Sequence, residues 1–229
     1  MSEQTISASS FVLKDIFISH ASANEAARQI IMKRTGSESR FSATVLAGGR
    51  SSRMGTDKAF LRIGDHLLVE HQLHCLRESG AAELLISGRP EVDYSRFALR
   101  VVHDDYLHVG PPAGVAAALK PSSCKLVLVL AVDMPRMIPE MIGKIISRCS
   151  EDVGCLPFDC HGLQPLGAAY PISLLPHAEH LLRIGRYSMR EFASKAITEG
   201  LIQPLELEPA EQIYFTNMNL PQEWAAISK

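Results

Sequence analysis

The sequence lacks a long apolar segment, a signal-like N-terminus and an excess of charge of either sign. The longest apolar run, Leu126–Val132, is far too short to cross a bilayer. The N-terminus has neither the basic region nor the continuous apolar region of a secretory signal. Lys and Arg total 23 against 25 Asp and Glu, so nothing indicates a nucleic-acid-binding surface. We therefore expect a soluble, cytoplasmic protein in which any anion site is a local concentration of charge.

The sequence also lacks the cysteine pattern of a disulfide-rich or zinc-binding protein. Its cysteines, odd in number and without a disulfide-like framework, are Cys75, Cys124, Cys149, Cys155 and Cys160. This favours reduced thiols. Cys155, Cys160 and His161 are near enough in sequence for a metal site, but their spacing matches no standard zinc pattern, and we interpret them as structural.

Residues 1–40 differ in composition from the rest of the chain. Ser and Thr are frequent there, a predicted helix at Asn24–Arg34 ends before Gly36, and "TGSESR" is typical of a linker. We interpret this segment as an N-terminal extension, either partly disordered or an interaction arm. Residues 41–229 are expected to form one domain, because an apolar content of 46% is enough for a sizeable core.

From Phe41 onward, strand patterns alternate with helix patterns. The predicted strands are 43–47, 83–87, 100–103, 125–133, 153–156 and 166–170, and the predicted helices are 66–80, 112–120, 139–149, 174–183 and 188–199. The run 125–133 is continuously apolar, which is typical of a strand in the middle of a parallel sheet. The alternation predicts an α/β domain with a mainly parallel sheet. On helix 66–80, His71 and His74 are interpreted as surface or interface residues.

The segment "LAGGRSSRMGTDK", residues 46–58, has the composition of a phosphate-binding loop. Gly48 and Gly49 allow close approach of the backbone, whose N–H groups can form an anion-binding nest. Arg50, Arg53 and Lys58 would add charge-assisted contacts to a polyphosphate. The spacing fits neither the Walker A loop nor the dinucleotide fingerprint. The alternative, a glycine-rich surface turn with incidental cations, is less favoured because the whole pattern follows a strand.

Asp133 ends the most apolar run of the chain. Ligands of open α/β sheets bind outside the carboxyl ends of strands, and Mg²⁺ commonly uses one or two carboxylates together with phosphate oxygens. The alternative is that Asp133 caps the helix beginning at Pro139. We favour the metal interpretation because a cap would lie nearer that helix.

These features resemble the nucleotidyltransferases that join a nucleoside monophosphate to a phosphorylated acceptor, and most closely the molybdenum cofactor guanylyltransferases, a MobA-like family. The resemblance extends over about residues 41–224 and includes "DDYLHVGPPAG" (104–114), "LVLAVDMP" (128–135) and "FTNMNLPQEW" (215–224). It implies a Rossmann-like three-layer sandwich of the GT-A type. It also implies Mg²⁺ as cofactor, GTP and molybdopterin or molybdenum cofactor as substrates, and transient molybdoenzyme or cofactor-biosynthesis partners.

The resemblance also implies roles for individual residues. It assigns catalysis to Arg53, Lys58 and Asp133, and metal binding to Asp133. The residues implied to bind the nucleotide are Leu46, Ala47, Gly48, Gly49, Lys58, Ser87, Asp104 and Asp133. Those implied to make acceptor or second-tier contacts are Gly110, Gly114, Asn217 and Asn219. Without the resemblance, Asp104 would be interpreted as an ordinary solvated loop residue. Asn217 and Asn219 would be turn formers before Pro221.

Two departures from the family pattern bear on the substrates. Pro112 stands where the family usually has Leu, and Gln164-Pro165 replaces His-Pro on the acceptor side. The related cytidylyltransferases typically have Leu-Ala-Ala-Gly in place of residues 46–49 and lack a "GPPAG"-like element, so both features favour guanine. The alternatives are a relative that uses CTP or another phosphorylated acceptor, and a nucleotide-binding regulator without catalysis.

Overall fold

The structure is a computed structural model of the chain and describes residues 40–48, 58–106 and 109–218. The predicted helix Asn24–Arg34 and nearly all of the predicted extension lie outside these residues, so the domain boundary stays a prediction. No helix in the described ranges is long and apolar enough to span a membrane.

The described residues form ten strands and five α-helices. The strands are β1 (Phe41–Leu46), β2 (Arg62–Ile63), β3 (His66–Leu67), β4 (Glu83–Ser87), β5 (Arg100–Val102), β6 (Leu126–Ala131), β7 (Gly154–Asp159), β8 (Gly162–Leu163), β9 (Gly167–Pro171) and β10 (Ile202–Glu206). The helices are α1 (Leu68–Glu78), α2 (Pro111–Leu119), α3 (Pro139–Ile146), α4 (Leu175–Arg183) and α5 (Met189–Thr198). Short 3-10 helices lie at Lys58–Phe60, Ser95–Phe97, Ile172–Leu174 and Gln212–Phe215.

The central sheet has the order β10-β7-β9-β6-β1-β4-β5, with β8 paired to β7. Strands β6, β1, β4 and β5 run parallel to one another, whereas β9 is antiparallel to both β6 and β7. The chain returns from β7 to β9 within residues 160–166, too short for the crossover that parallel pairing requires. Strand β6 is thus central, as predicted, but lies where parallel pairing changes to antiparallel.

Strand β6 shows how the sheet divides the core into two layers. Leu126, Leu128 and Leu130 pack on the side of α1 and α3, whereas Val127 and Val129 pack on the side of α2, α4 and α5. This alternation follows from the two-residue period of a strand, and it gives a near-continuous apolar sequence only because both faces are covered. The predicted three-layer α/β architecture is confirmed.

Strand β10 has no counterpart among the sequence predictions. Within the part of the chain that the structure describes, it pairs with β7 alone, at one edge of the sheet, and it contains Pro204. Proline cannot donate to a strand ladder and is tolerated mainly in edge strands, so its presence weakened the strand pattern without preventing the strand.

Candidate active site

A cavity of about 390 Å³ opens at the carboxyl ends of the parallel strands. Strands β1, β4 and β6 end at the same edge of the sheet, so the loops that follow them meet there. The predicted site residues that line the cavity are Leu46, Gly48, Lys58, Ser87, Asp104, Gly110, Gly114 and Asp133. The fold therefore brings together groups that are up to 87 positions apart in sequence, between Leu46 and Asp133.

Main-chain hydrogen bonds fix the relative positions of these loops. The N–H of Ala47 donates to the Ser87 carbonyl at 2.8 Å, and that of Val132 donates to the Leu46 carbonyl at 3.1 Å. The N–H of Met218 donates to the Asp133 carbonyl at 2.9 Å, which joins the segment containing Asn217 to the turn after β6. The backbone around Asp133 is thus held from two sides.

Lys58 and Asp133 form an ion pair at the cavity. Lys58 Nζ lies 3.0 Å from Asp133 Oδ2, and the two side chains are 17% and 21% exposed. Lys58 begins the 3-10 helix Lys58–Phe60, whose Phe60 ring stacks on Tyr94 with 5.8 Å between centroids. Asp133 does not cap α3, since Ile138 occupies the N-cap position. The capping alternative for Asp133 is therefore wrong, and its carboxylate remains at the cavity.

Helix α1 holds the turn that contains Asp133. The Gln72 amide nitrogen donates to the Met134 carbonyl at 2.6 Å and lies 3.4 Å from the Ala131 carbonyl. His71 Nε2 lies 2.9 Å from the Pro135 carbonyl, and Cys75 Sγ lies 3.4 Å from the Met137 carbonyl. These side chains lie on the face of α1 directed at the sheet edge, so α1 contributes to the geometry of the site without lining the cavity.

Of the two histidines interpreted as surface or interface residues, His74 is exposed, whereas His71 is half-buried with its ring against the turn. Burial lowers the pKa of His71, against the opposing effect of its bond to the Pro135 carbonyl. Because a carbonyl can only accept, Nε2 of the neutral ring carries the proton. One signal of this arrangement is visible in the sequence: two polar residues, His71 and Gln72, directly precede Leu73 in the apolar stripe of the helix.

Close packing of α2 against β1 and β4 explains Gly114. A Cβ atom at that position would lie 3.3 Å from both Leu46 Cδ2 and Ser87 Oγ. The glycine lets the first turn of α2, which begins after the N-cap residue Gly110, lie directly against the cavity. The positive end of a helix dipole at such a place favours an anion.

Some predicted site residues do not line the cavity. Ala47 is 1% exposed, and its N–H is taken up by Ser87. Asn217 is exposed next to the buried Met218. Gly49, Arg53 and Asn219 lie outside the described residues. Their proposed roles stay predictions.

Eight cavity residues were not among the predicted site residues, and the first four of them follow β4: Gly88, Arg89, Pro90, Glu91, Pro111, Ala131, Val132 and Leu166. Arg89 and Glu91 form an ion pair at 3.5 Å. The available signal was a glycine followed by a basic residue after a predicted strand, a pattern that the glycine loop also shows.

Replacing Gly88 with Ala is expected to destabilise the protein at the rim of the cavity. The new Cβ would lie 2.9 Å from Cδ2 and Cζ of Tyr94 and nearer still to Cε2. Tyr94 is 2% exposed and packs on Phe60, so the ring has little room to move. Overpacking of this kind costs about 1–3 kcal/mol, with about 2–4 °C of melting temperature per kcal/mol. Thermal unfolding measures the effect.

Gly48→Ala is the matched control for this prediction. Among the described residues, a Cβ at position 48 would have no neighbour nearer than 3.9 Å. Its melting temperature should stay near that of the unmodified protein, and equal losses in both variants would contradict the steric explanation.

The donor set near Asp133 fits a cation held largely by substrate. Within residues 40–48, 58–106 and 109–218, no group of three or more His, Cys, Asp and Glu side chains could hold a metal ion. A site for Mg²⁺ does not require one, since Mg²⁺ commonly binds one or two carboxylates together with phosphate oxygens and water. The partly exposed Asp133 carboxylate, beside a cation and facing a cavity, meets that requirement.

Comparison with known proteins gives consistent matches. A family model described as the MobA-like NTP transferase domain matches residues 43–199. A relative from Opitutus terrae, named "Probable molybdenum cofactor guanylyltransferase", is 37% identical over 81% of this chain and 93% of its own length.

Solved structures share the fold at lower identity. Molybdopterin-guanine dinucleotide biosynthesis protein A from Archaeoglobus fulgidus matches with a TM-score of 0.64 and 23% identity, over 81% of this chain and 96% of that one. A 2-C-methyl-D-erythritol 4-phosphate cytidylyltransferase from Thermus thermophilus matches with a TM-score of 0.61 and 20% identity, over 82% and 97%. The fold is thus common to proteins named for different nucleotides and does not by itself choose the base.

Proposed function

The chain belongs to the MobA-like NTP transferase family, and from that premise we propose that it transfers GMP from GTP to the terminal phosphate of molybdopterin or the molybdenum cofactor. The other product is pyrophosphate. The choice of GTP and of this acceptor rests on the names of the relatives and on the double glycine at positions 48 and 49.

The Lys58–Asp133 ion pair at the cavity is the observation that carries the proposal. A polyphosphate needs cationic groups, and a nucleotidyltransferase also needs a carboxylate for a divalent cation. The two groups come from segments 75 residues apart and lie 3.0 Å from each other. The pair does not serve as the cap of α3, since that helix begins at Pro139 with Ile138 as its N-cap.

The proposed reaction is an in-line displacement. An oxygen of the acceptor phosphate forms a bond to the α-phosphorus of GTP, while the bond from that phosphorus to the oxygen bridging to the β-phosphate breaks. The acceptor phosphate is itself the nucleophile, so the reaction needs no protein nucleophile, and because this phosphate is already anionic at neutral pH no general base is required. The protein's contribution is positioning and charge neutralisation.

The chain's own residues divide this task. Lys58 and Arg53 counter the charge that develops on the leaving pyrophosphate, and Asp133 holds Mg²⁺. When bound, the cation neutralises charge on the phosphate oxygens. Ser87, Asp104 and the first turn of α2 surround the remaining cavity and orient the nucleotide. Asn217 and Asn219 orient the acceptor, and Asn217 directly precedes Met218, whose N–H bonds to the Asp133 carbonyl.

The proposal includes a cytoplasmic location and transient contacts with molybdoenzymes or cofactor-biosynthesis proteins. All five cysteines are free thiols, which fits a reducing compartment.

The proposed function is tested by incubating the purified chain with Mg²⁺, molybdopterin and each nucleoside triphosphate in turn. We expect a guanine dinucleotide, identified by mass, together with pyrophosphate, only when GTP is supplied. Product from CTP would identify a cytidylyltransferase instead. Stabilisation by nucleotide without pyrophosphate release would favour a non-catalytic regulator.

A further inference from the structure

Gln72 is a buried polar residue that the proposed reaction does not use directly. It is 0% exposed on α1, yet its side chain reaches the turn after β6. The amide nitrogen lies 2.6 Å from the Met134 carbonyl and 3.4 Å from the Ala131 carbonyl, two groups that bracket Asp133. The orientation of the amide is fixed by these partners, since carbonyls only accept and the nitrogen must face them.

The position of the Gln72 side chain has a free-energy cost that packing alone does not explain. Among the described residues, the Gln72 Oε1 atom is buried without a hydrogen-bond partner. An unpaired buried acceptor destabilises the folded protein, whereas an apolar side chain of the same shape would have no such cost. Gln72 donates to the turn but leaves its own acceptor unpaired. Its presence is therefore better explained by the conformation that it imposes on the turn than by a contribution to stability.

The neighbouring contacts act on the same turn. His71 bonds to the Pro135 carbonyl and Cys75 to the Met137 carbonyl, so α1 contacts three carbonyls in residues 134–137. Gln72 is the fully buried member, has the shortest of these contacts and is the one that reaches both sides of Asp133.

We propose that Gln72 is a positioning residue that holds the 131–137 turn in the conformation that presents the Asp133 carboxylate to a divalent cation. This inference rests on the proposed function, since it concerns the same carboxylate. Gln72 touches neither substrate nor metal and acts through the backbone of the turn. Partners of this kind, which orient a ligand without coordinating the metal, typically change metal affinity about 10- to 100-fold when they are removed.

The test is the metal-dependent gain in affinity for α,β-methylene-GTP, a probe whose carbon bridge prevents transfer. Calorimetric titration with and without Mn²⁺ gives this gain as a ratio, the Kd without Mn²⁺ divided by the Kd with Mn²⁺. We expect Gln72→Met to lower this ratio about 10- to 100-fold and to leave the metal-free Kd unchanged. In the transfer assay, the Mg²⁺ concentration for half-maximal rate should rise, and saturating Mg²⁺ should restore much of kcat.

Leu76→Ala is the matched control. Leu76 is also 0% exposed on α1, but its side chain cannot hydrogen-bond to the turn. Truncating it leaves a cavity in the core, so the melting temperature of Leu76→Ala should fall at least as far as that of Gln72→Met while the Mn²⁺-dependent gain is retained. Equal loss of the gain in both variants would reduce Gln72 to a structural role.

The remaining outcomes are also decisive. An unchanged gain in Gln72→Met, or no gain in the unmodified protein, overturns the inference. Gln72→Leu replaces Gln72→Met if the latter does not fold, and if neither folds the role is structural. Failure of the unmodified protein to bind the analogue at all, or to form product, is instead a failure of the proposed function.

Discussion

Replacing Asp133 with Asn is expected to lower GMP transfer by about 10³-fold, or roughly 4 kcal/mol of barrier, in a protein that remains folded. The neutral amide keeps the shape of the side chain but binds a divalent cation poorly, so charge on the phosphate oxygens would go largely uncompensated. The ion pair that is lost is partly exposed and contributes about 1 kcal/mol or less to stability. Single-turnover transfer rates and thermal unfolding measure the two effects separately.

Asp105→Asn is the matched control for Asp133→Asn. Asp105 is also a carboxylate in an ion pair, with Lys120 at 3.0 Å, but it is 73% exposed and does not line the main cavity. The Asp105→Asn variant should transfer GMP at the rate of the unmodified protein. The two variants should also differ in binding, because Asp133→Asn alone should lose the Mn²⁺-dependent gain for α,β-methylene-GTP. A normal transfer rate in Asp133→Asn would exclude the proposed metal role.

The fold was predictable to the extent that each element has its own periodicity. Helix α1 was expected at 66–80 and lies at Leu68–Glu78, and the run at 125–133 contains β6. Strand direction was less accessible, because a pattern of apolar residues does not reveal pairing. Only the short connection after β7 shows that β9 must return antiparallel, and that is a property of chain length rather than of any residue pattern.

The site was predictable where function places polar residues after strands. Asp133 and Lys58 stand out because they follow a strand and a glycine loop, and the fold brings them together. Gln72 and His71 could not be assigned from the sequence alone. Their role depends on which turn faces α1 in three dimensions, and a polar residue beside an apolar stripe does not identify its partner.

Lys58→Ala is expected to lower transfer about 10²- to 10³-fold, mostly in kcat, because the charge on the leaving pyrophosphate develops in the transition state. Lys144→Ala is the matched control: Lys144 is also part of a partly buried ion pair, with Glu211, but does not line the cavity. It should leave transfer unchanged.

The effect of Lys58→Ala on metal dependence separates two roles for the ion pair. In the free protein, Lys58 competes with a cation for the Asp133 carboxylate, so its removal should leave the Mg²⁺ requirement unchanged or lower it. Asp133→Asn and Gln72→Met should instead raise that requirement. Because Lys58 and Asp133 act on the same phosphate charge, the double variant should lose less activity than the product of the single losses. If Lys58→Ala raised the Mg²⁺ requirement as Asp133→Asn does, Lys58 would act only by holding Asp133, and its proposed contact with the leaving pyrophosphate would be wrong.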